Sequence, residues 1–213
     1  VVMGIGGWVA QKIISDLPKP ILKAYDQFYH GPILTVNVAV RNWLFLDKLG
    51  ISSGRIFEGF GNFFSIRRPM ITGKHTQPYD PKKPIAITFY VPFHKPGYSI
   101  KEQGQLGRLE LLNKSYAEYE KLIVKQMSEM FAPYGFNAER DLAGIILNRW
   151  GHAYISPQPG FHFGRDGKEA PREIVRKGFN RIQFGHSELS GYMSHTRALN
   201  EGSRAAINAM KFI

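Results

Sequence analysis

The segment Ile33–Trp43, ILTVNVAVRNW, limits what this chain can fold into more than any other stretch. It is β-branched and strictly alternating. Val36, Val38 and Val40 face one way; Thr35, Asn37, Ala39 and Arg41 face the other. Such a strand needs sheet neighbours and an apolar partner for one face. Gln103–Phe131 supplies the partner, with Leu106, Leu109, Leu112, Tyr116, Tyr119, Ile123, Met127 and Met130 recurring at helical spacing. That pattern predicts one long helix, stopped by Pro133 and Gly135. Ile85–Val91 reads as a second strand closed by Pro92, and the aromatic, glycine-rich Arg55–Ile66 as an irregular hairpin.

The two ends read differently. Val1-Val2-Met3 predicts a buried strand, followed by short helices over 9–16 and 19–29 that Leu17-Pro18 separates. Asp141–Ser156 and Arg181–Gly185 predict strands. Ser194–Lys211 predicts a helix with Ala198, Gly202, Ala205 and Ala206 on one face, able to lie close to a sheet or a ligand. The expected fold class is therefore α/β, of the mixed α+β kind. A mixed sheet backed by a long helix occupies the middle, and the two ends are pieces of a more parallel α/β domain that the middle interrupts.

The 213 residues suffice for a substantial core, and 43% hydrophobic with 21% charged residues excludes disorder. The absence of cysteine excludes disulfides, thiolate zinc sites and a cysteine nucleophile within the chain. Lys plus Arg number 28 against 17 Asp plus Glu, a formal net charge of +11. That excess suits an anionic partner, whether nucleic acid, a membrane surface or a phosphate-bearing ligand, and equally a plain basic surface. No stretch approaches the roughly 18 apolar residues of a membrane span, and the start lacks the pattern of a signal peptide. With Val at position 1, the chain is expected to be part of a longer polypeptide. Its compartment is open, with bacterial cytoplasm and periplasm both compatible.

Gly4-Ile5-Gly6-Gly7 follows a strand and precedes a helix, as a dinucleotide loop would. The third glycine is missing, so a tight strand-to-helix turn is the better reading. The seven histidines are scattered without metal-ligand spacing, and no metal is expected. No GxSxG elbow is present, and Gly185-His186-Ser187-Glu188 reads as a capping turn unless a cofactor uses it.

The last third carries the chemistry. Asn148–Gly160 reads NRWGHAYISPQPG, and Arg181–Ala206 reads RIQFGHSELSGYMSHTRALNEGSRAA: strand, polar turn, Gly-Tyr-Met, helix. A strand end and a helix N-terminus present backbone N–H groups and a positive dipole end to an anion or a polarised ring. This stretch resembles the C-terminal FAD-binding segment of flavin-containing amine oxidases. The matching residues are Gly185, Glu188, Ser190-Gly191-Tyr192-Met193, Ala198, Gly202 and Ala205-Ala206, with Trp150, Gly151, Tyr154 and Pro159-Gly160 upstream. Pro32–Gly50, PILTVNVAVRNWLFLDKLG, looks most like the spermidine dehydrogenase-like branch.

The resemblance implies a substrate domain with a mixed sheet and a long helix, joined to the C-terminal part of a Rossmann-like FAD-binding domain. Residues 1–30 would be a tail of the FAD domain and a helical linker, 31–140 the substrate domain, and 141–213 the C-terminal FAD-binding segment. FAD is the implied cofactor, with Gly151, Gly185, Ser187, Glu188, Gly191, Met193 and Ser194 at it. Glu188 would lie by the pyrophosphate and ribose, and the Met193 amide by the flavin pyrimidine edge. Tyr192, Trp150 and His152 would form the catalytic wall, although a single aromatic of this kind is often simply core. The implied partners are a small-molecule amine, an electron acceptor of unspecified kind, and the missing N-terminal FAD-binding portion.

The family's lysine near the reactive flavin nitrogen has no counterpart on Ile33–Trp43. Val38 takes its place, with Asn37 the nearest polar group, which favours a dehydrogenase over an oxidase. The implied reaction is oxidation of an amine C–N bond, possible substrates including a polyamine such as spermidine. A polyamine would call for carboxylates at the pocket mouth. The alternatives are a basic nucleic-acid-binding module, resting on the charge and on Arg67-Arg68 and Lys82-Lys83, or a family member acting on a non-amine substrate.

Overall fold

In chain order the elements are β1 (Val2–Met3), α1 (Gly7–Ile13), α2 (Lys19–Tyr25), β2 (His30–Val40), α3 (Leu44–Leu49), β3 (Ser53–Arg55), β4 (Phe63–Ile66), β5 (Ile71–Thr72), β6 (His75–Thr76), β7 (Ile85–Pro92), α4 (Ile100–Asn113), α5 (Tyr116–Phe131), α6 (Ala138–Asp141), β8 (Leu142–Ile155), α7 (Pro171–Arg176), β9 (Gln183–Phe184) and α8 (His195–Met210), with 3₁₀ turns at Ala132–Tyr134 and Ser187–Ser190. This computed structural model describes every residue except Pro69, Gln77 and Pro78; the side chains of His75 and Thr76 also lie outside the description. The fold is mixed α/β in two compact units. One comprises Pro32–Pro96 and Gln105–Gly151; the other comprises Val1–Gly31, Gly97–Gly104 and His152–Ile213.

The first unit is a sheet and helix sandwich. Its five strands run in the order β3-β4-β7-β2-β8, and the pairs β3/β4, β4/β7 and β2/β7 are antiparallel. The predicted alternation holds on β2, where Val36, Val38 and Val40 are all 0% exposed while Asn37 and Thr35 are half-buried and Ala39 is exposed. The inward residues meet Ile87 and Phe89 of β7, Phe64 and Ile66 of β4, and Tyr119, Ile123, Met127 and Phe131 of α5 in one core. The predicted hairpin forms, with Gly54 opposite Phe64. A Cβ on Gly54 would lie 2.6 Å from the Phe64 ring, so the pairing requires glycine there.

The single long helix predicted over 103–131 is two helices. Ser115 ends the first and caps the second: its hydroxyl accepts from the Glu118 N–H, and the Glu118 carboxylate accepts from the Ser115 N–H at 2.7 Å. A capping box satisfies helix-start donors that a continuous helix would not leave open. The break resets the helical register. On α5 the predicted Tyr119, Ile123 and Met127 are buried, but on α4 the buried positions are Gly104, Gly107 and Leu111, and the predicted Leu109 and Leu112 are exposed. Gly107 lets α4 approach closely, since a Cβ there would lie 2.6 Å from the Phe93 carbonyl oxygen.

The second unit holds β1 paired in parallel with β9, Val2 opposite Gln183 and Met3 opposite Phe184. Its core gathers Ala10, Leu17, Ile21, Tyr25, Phe28, Phe161, Val175, Phe184 and Leu189. The first strand forms, but it is not buried as predicted: Val1 is 74% and Val2 41% exposed. A two-residue strand paired on one side leaves its other side open. Of the small residues predicted to share a face of α8, Gly202 and Ala205 turn inward, whereas Ala198 and Ala206 are exposed. Among the described residues no helix is long and apolar enough to cross a membrane.

Replacing Ser115 with alanine removes the cap of α5 without touching the core. Urea unfolding should show a loss of about 1 kcal/mol. An unchanged midpoint would mean that packing alone sets the start of α5.

Candidate functional site

The parallel pair β1/β9 ends in two turns on the same side. After β1 the chain passes through Gly4–Gly6 into α1, and after β9 it passes through His186 into the Ser187–Ser190 turn. Carboxyl ends of parallel strands are where α/β folds form ligand crevices. Glu188 ties the two turns together. It is 2% exposed, its Oε2 accepts from the Gly7 N–H at 2.8 Å, and its Oε1 lies 2.9 Å from His30 Nε2. The strand-to-helix turn predicted at Gly4–Gly7 is present, and its close packing explains its glycines. A Cβ on Gly7 would lie 2.2 Å from the Tyr25 ring, and one on Gly6 3.0 Å from Glu188 Oε1.

Burial pushes the Glu188 carboxyl up, but the hydrogen bond and charge of His30, the Gly7 N–H and, when it is protonated, the charge of His186 together hold it below the ordinary carboxylate range. His186 is held below the usual histidine value, chiefly by burial. Its Nδ1 accepts from the Glu188 N–H at 3.2 Å, which fixes the neutral ring with its proton on Nε2. His152 stacks on Trp8 at 4.3 Å between ring centres and meets the His30 ring edge-on at 5.6 Å. The second unit thus brings His152, Ser187, Glu188 and His186 together with His30 and Trp8, two residues that sequence reading had not placed at the site. No spacing rule could have found His30, which arrives 158 positions away from Glu188.

The remaining predicted residues follow the turn. Gly185 packs under α8, where a Cβ would lie 3.0 Å from the Ala205 methyl and 3.2 Å from the Glu201 carbonyl oxygen. Gly191 closes the Ser187–Ser190 turn at φ +66°, and a Cβ there would lie 2.5 Å from the His162 ring. Tyr192 is 67% exposed, so it is not a core aromatic. Met193 offers its sulfur to the Ile155 N–H at 3.3 Å. Ser194 caps α8, its hydroxyl accepting from the Arg197 N–H. The first turn of this 16-residue helix holds no acidic residue, so no carboxylate of that turn compensates its dipole end.

Trp150 and Gly151 lie in the first unit. Trp150 is 57% exposed and also outside any core. Val38, set by resemblance in the place of a flavin-site lysine, is 0% exposed in the sheet core. Alternation directs it away from the open face, on which Thr35 and Asn37 stand instead. A cavity of about 720 Å³ in the same unit, lined by Ile56, Phe60, Lys95, Glu110 and Gln126 among others, contains none of the predicted site residues.

A second polar node went unnoticed in the sequence. Glu201 on α8 is 4% exposed and takes Arg176 of α7, Arg204 at 2.9 Å and the Ser190 hydroxyl at 2.9 Å. Arg204 also donates to the Phe184 carbonyl. This node fastens α8 to α7, β9 and the turn that carries Glu188.

The fold is similar to that of several solved structures of oxidases. A double mutant of putrescine oxidase, made in a redesign of cofactor binding, superposes with a TM-score of 0.62 at 14% identity, over 99% of this chain and 42% of that one. Cyclohexylamine oxidase from Brevibacterium oxydans IH-35A gives 0.62 at 15% identity, over 99% and 42%. A protein from Exiguobacterium sp. 255-15 described as a candidate protoporphyrinogen oxidase gives 0.61 at 10%, over 99% and 41%. The likeness is one of fold, and this chain spans about 42% of the length of the first of these structures. No protein-family profile and no curated protein sequence matches the chain.

Acid should weaken the protein in two stages. His162 and His186 bind protons less tightly folded than unfolded, so below their ordinary value of 6.5 the unfolded chain takes up more protons and stability falls. Glu188 and Glu201 add a second loss as pH drops below 4.5, their ordinary value. Glu188→Gln should cost about 2 kcal/mol at neutral pH and flatten the limb below pH 4.5. Equilibrium unfolding across this range would show it; a variant with the wild-type acid limb would remove Glu188 from the account. Glu201→Gln should cost about 2–3 kcal/mol by leaving two arginines short of their partner, which thermal unfolding would report.

Proposed function

We propose that this chain is the substrate-side and C-terminal part of an FAD-dependent oxidoreductase that oxidises the C–N bond of an amine. The observation that carries the reading is the Tyr192–Ser194 entry to α8: an exposed aromatic beside a helix start that lacks acidic residues, in a fold shared with putrescine and cyclohexylamine oxidases. When bound, FAD supplies the acceptor for a hydride, and the amine left as an imine is hydrolysed by water.

The chain's own residues fit such a cofactor. Gly191 keeps the backbone tight against His162 where any side chain would collide. The amides at Met193 and Ser194 and the dipole of α8 favour a polarised or negatively charged ring edge. Gly185 lets α8 lie close to β9. Glu188 spends both carboxylate oxygens inside the protein, so its role, with Ser187, is to position the turn that leads to Gly191. Tyr192 and His152 present ring surfaces to the substrate. An amine must be neutral before it can give up a hydride, and a poorly hydrated aromatic surface lowers its pKa. No ammonium stands among Thr35, Asn37 and Ala39, which favours a dehydrogenase that passes electrons to an acceptor other than oxygen.

The test is spectroscopic. The protein, expressed with its flanking sequence and incubated with FAD, should acquire flavin absorbance that bleaches anaerobically on addition of an amine. Tyr192→Ala should slow bleaching about tenfold or more while leaving flavin bound. Reoxidation should be faster with a quinone than with oxygen. A full-length protein that never takes up FAD would end this reading.

A further inference from the structure

The sheet of the first unit has a second face that its core does not use. Alternation places Thr35 and Asn37 there, and strand register extends it: Ser65, Thr88 and Asn37 form one cross-strand row, and Phe63, Tyr90 and Thr35 the next. On β8, Ile145 and Leu147 join the core, so Ile146, Asn148 and Trp150 take the opposite parity; the Asn148 amide donates to the Thr35 carbonyl at 3.5 Å. Arg67 enters at the end of β4, its N–H bonded to the Ala86 carbonyl.

The Arg67 side chain lies back along this face and is held there. Its Nε–H donates to Thr88 Oγ1 at 2.7 Å and its Nη2 to the Tyr90 hydroxyl at 3.3 Å. The Thr88 hydroxyl donates to Asn37 Oδ1 at 2.6 Å. Thr88 is 0% exposed. Its one proton is spent on Asn37, so it can meet Arg67 only as an acceptor, and the guanidinium is fixed by neutral groups. Of the five N–H donors of a guanidinium, three are left over. Beside it, Arg55 sits over the Phe63 ring at 5.4 Å. Neither arginine has a carboxylate partner among the described residues: the ion pairs of this unit engage Lys95, Lys114, Lys125 and Arg140. None of the five strands carries an Asp or a Glu.

Two guanidiniums on a face without carboxylates repel a polycation and attract an anion. The carboxylates that a polyamine would call for are absent from these strands. A planar fork already ordered by Thr88 and Tyr90 suits a carboxylate, because little side-chain entropy remains to be lost on binding. We propose that this face binds a carboxylate through Arg67, with Ile146 and Trp150 offering apolar contact. The carboxylate site does not rest on the amine-oxidising reading above.

The test compares phenylacetate with phenethylamine, probes with the same ring and opposite charge, by calorimetric titration of the full-length protein. Phenylacetate should bind, and more tightly than phenethylamine. Arg67→Gln should weaken it roughly tenfold to a hundredfold, Arg67→Lys less, and Thr88→Val several-fold by releasing the guanidinium. Wild-type thermal unfolding of the variants would show that the fold is intact. Absent phenylacetate binding, binding unchanged in Arg67→Gln, or a preference for phenethylamine would each overturn the proposal. Flavin uptake separates it from the broader reading. A protein that binds phenylacetate through Arg67 but never takes up FAD loses the oxidoreductase assignment alone. One whose flavin is bleached by amines while Arg67→Gln binds phenylacetate like wild type loses the carboxylate site alone.

Discussion

A carboxylate buried to 2% exposure survives only if donors surround it, and the second unit is arranged around that requirement at Glu188. The Gly7 N–H and the His30 ring reach it from two parts of the chain far from Glu188 in sequence. To reach Glu188, α1 must begin where β1 ends, and the His186 turn must begin where β9 ends. The parallel pairing of two very short strands would be weak alone. The buried charge supplies the missing specificity, because any other register would strand it without partners. Gly7 then has to be glycine, since the Tyr25 ring occupies the space of a side chain.

Glu201 does for α8 what Glu188 does for the turns. Its two arginines and the Ser190 hydroxyl orient a helix whose inward face is otherwise only Gly202 and Ala205. Small residues give closeness but little apolar area, so direction has to come from polar contacts. The result is that Tyr192 and the start of α8 project from a rigid base while remaining exposed.

In the first unit the organising device is alternation. One face of the sheet closes over α5 with Val36, Val38 and Val40; the other keeps Thr88, Asn37, Tyr90 and Arg67. Thr88 is the hinge of that division. It is as inaccessible as the core valines, yet its hydroxyl is satisfied on both sides, so a polar row can be buried in the sheet without cost to the fold.

Much of the fold was legible in the residues. The alternation of β2, the strand at 85–91, the hairpin, the apolar face of α5 and the strand–turn–helix pattern at both ends all follow from local periodicity and turn chemistry. The break between α4 and α5 was legible too, in Ser115-Tyr-Ala-Glu118, but the hydrophobic spacing on either side masked it. The glycines and aromatics of the last third pointed to a candidate site by their order along the chain. What only the tertiary structure decided is the company those residues keep: His30 beside Glu188, Arg176 beside Glu201, Arg67 beside Thr88. Each pair joins segments far apart in sequence, brought together by strand pairing and by the need of a buried charge or hydroxyl for a partner. A single sequence shows the need but not the partner, because periodicity is a local property and the satisfaction of buried polar groups is not.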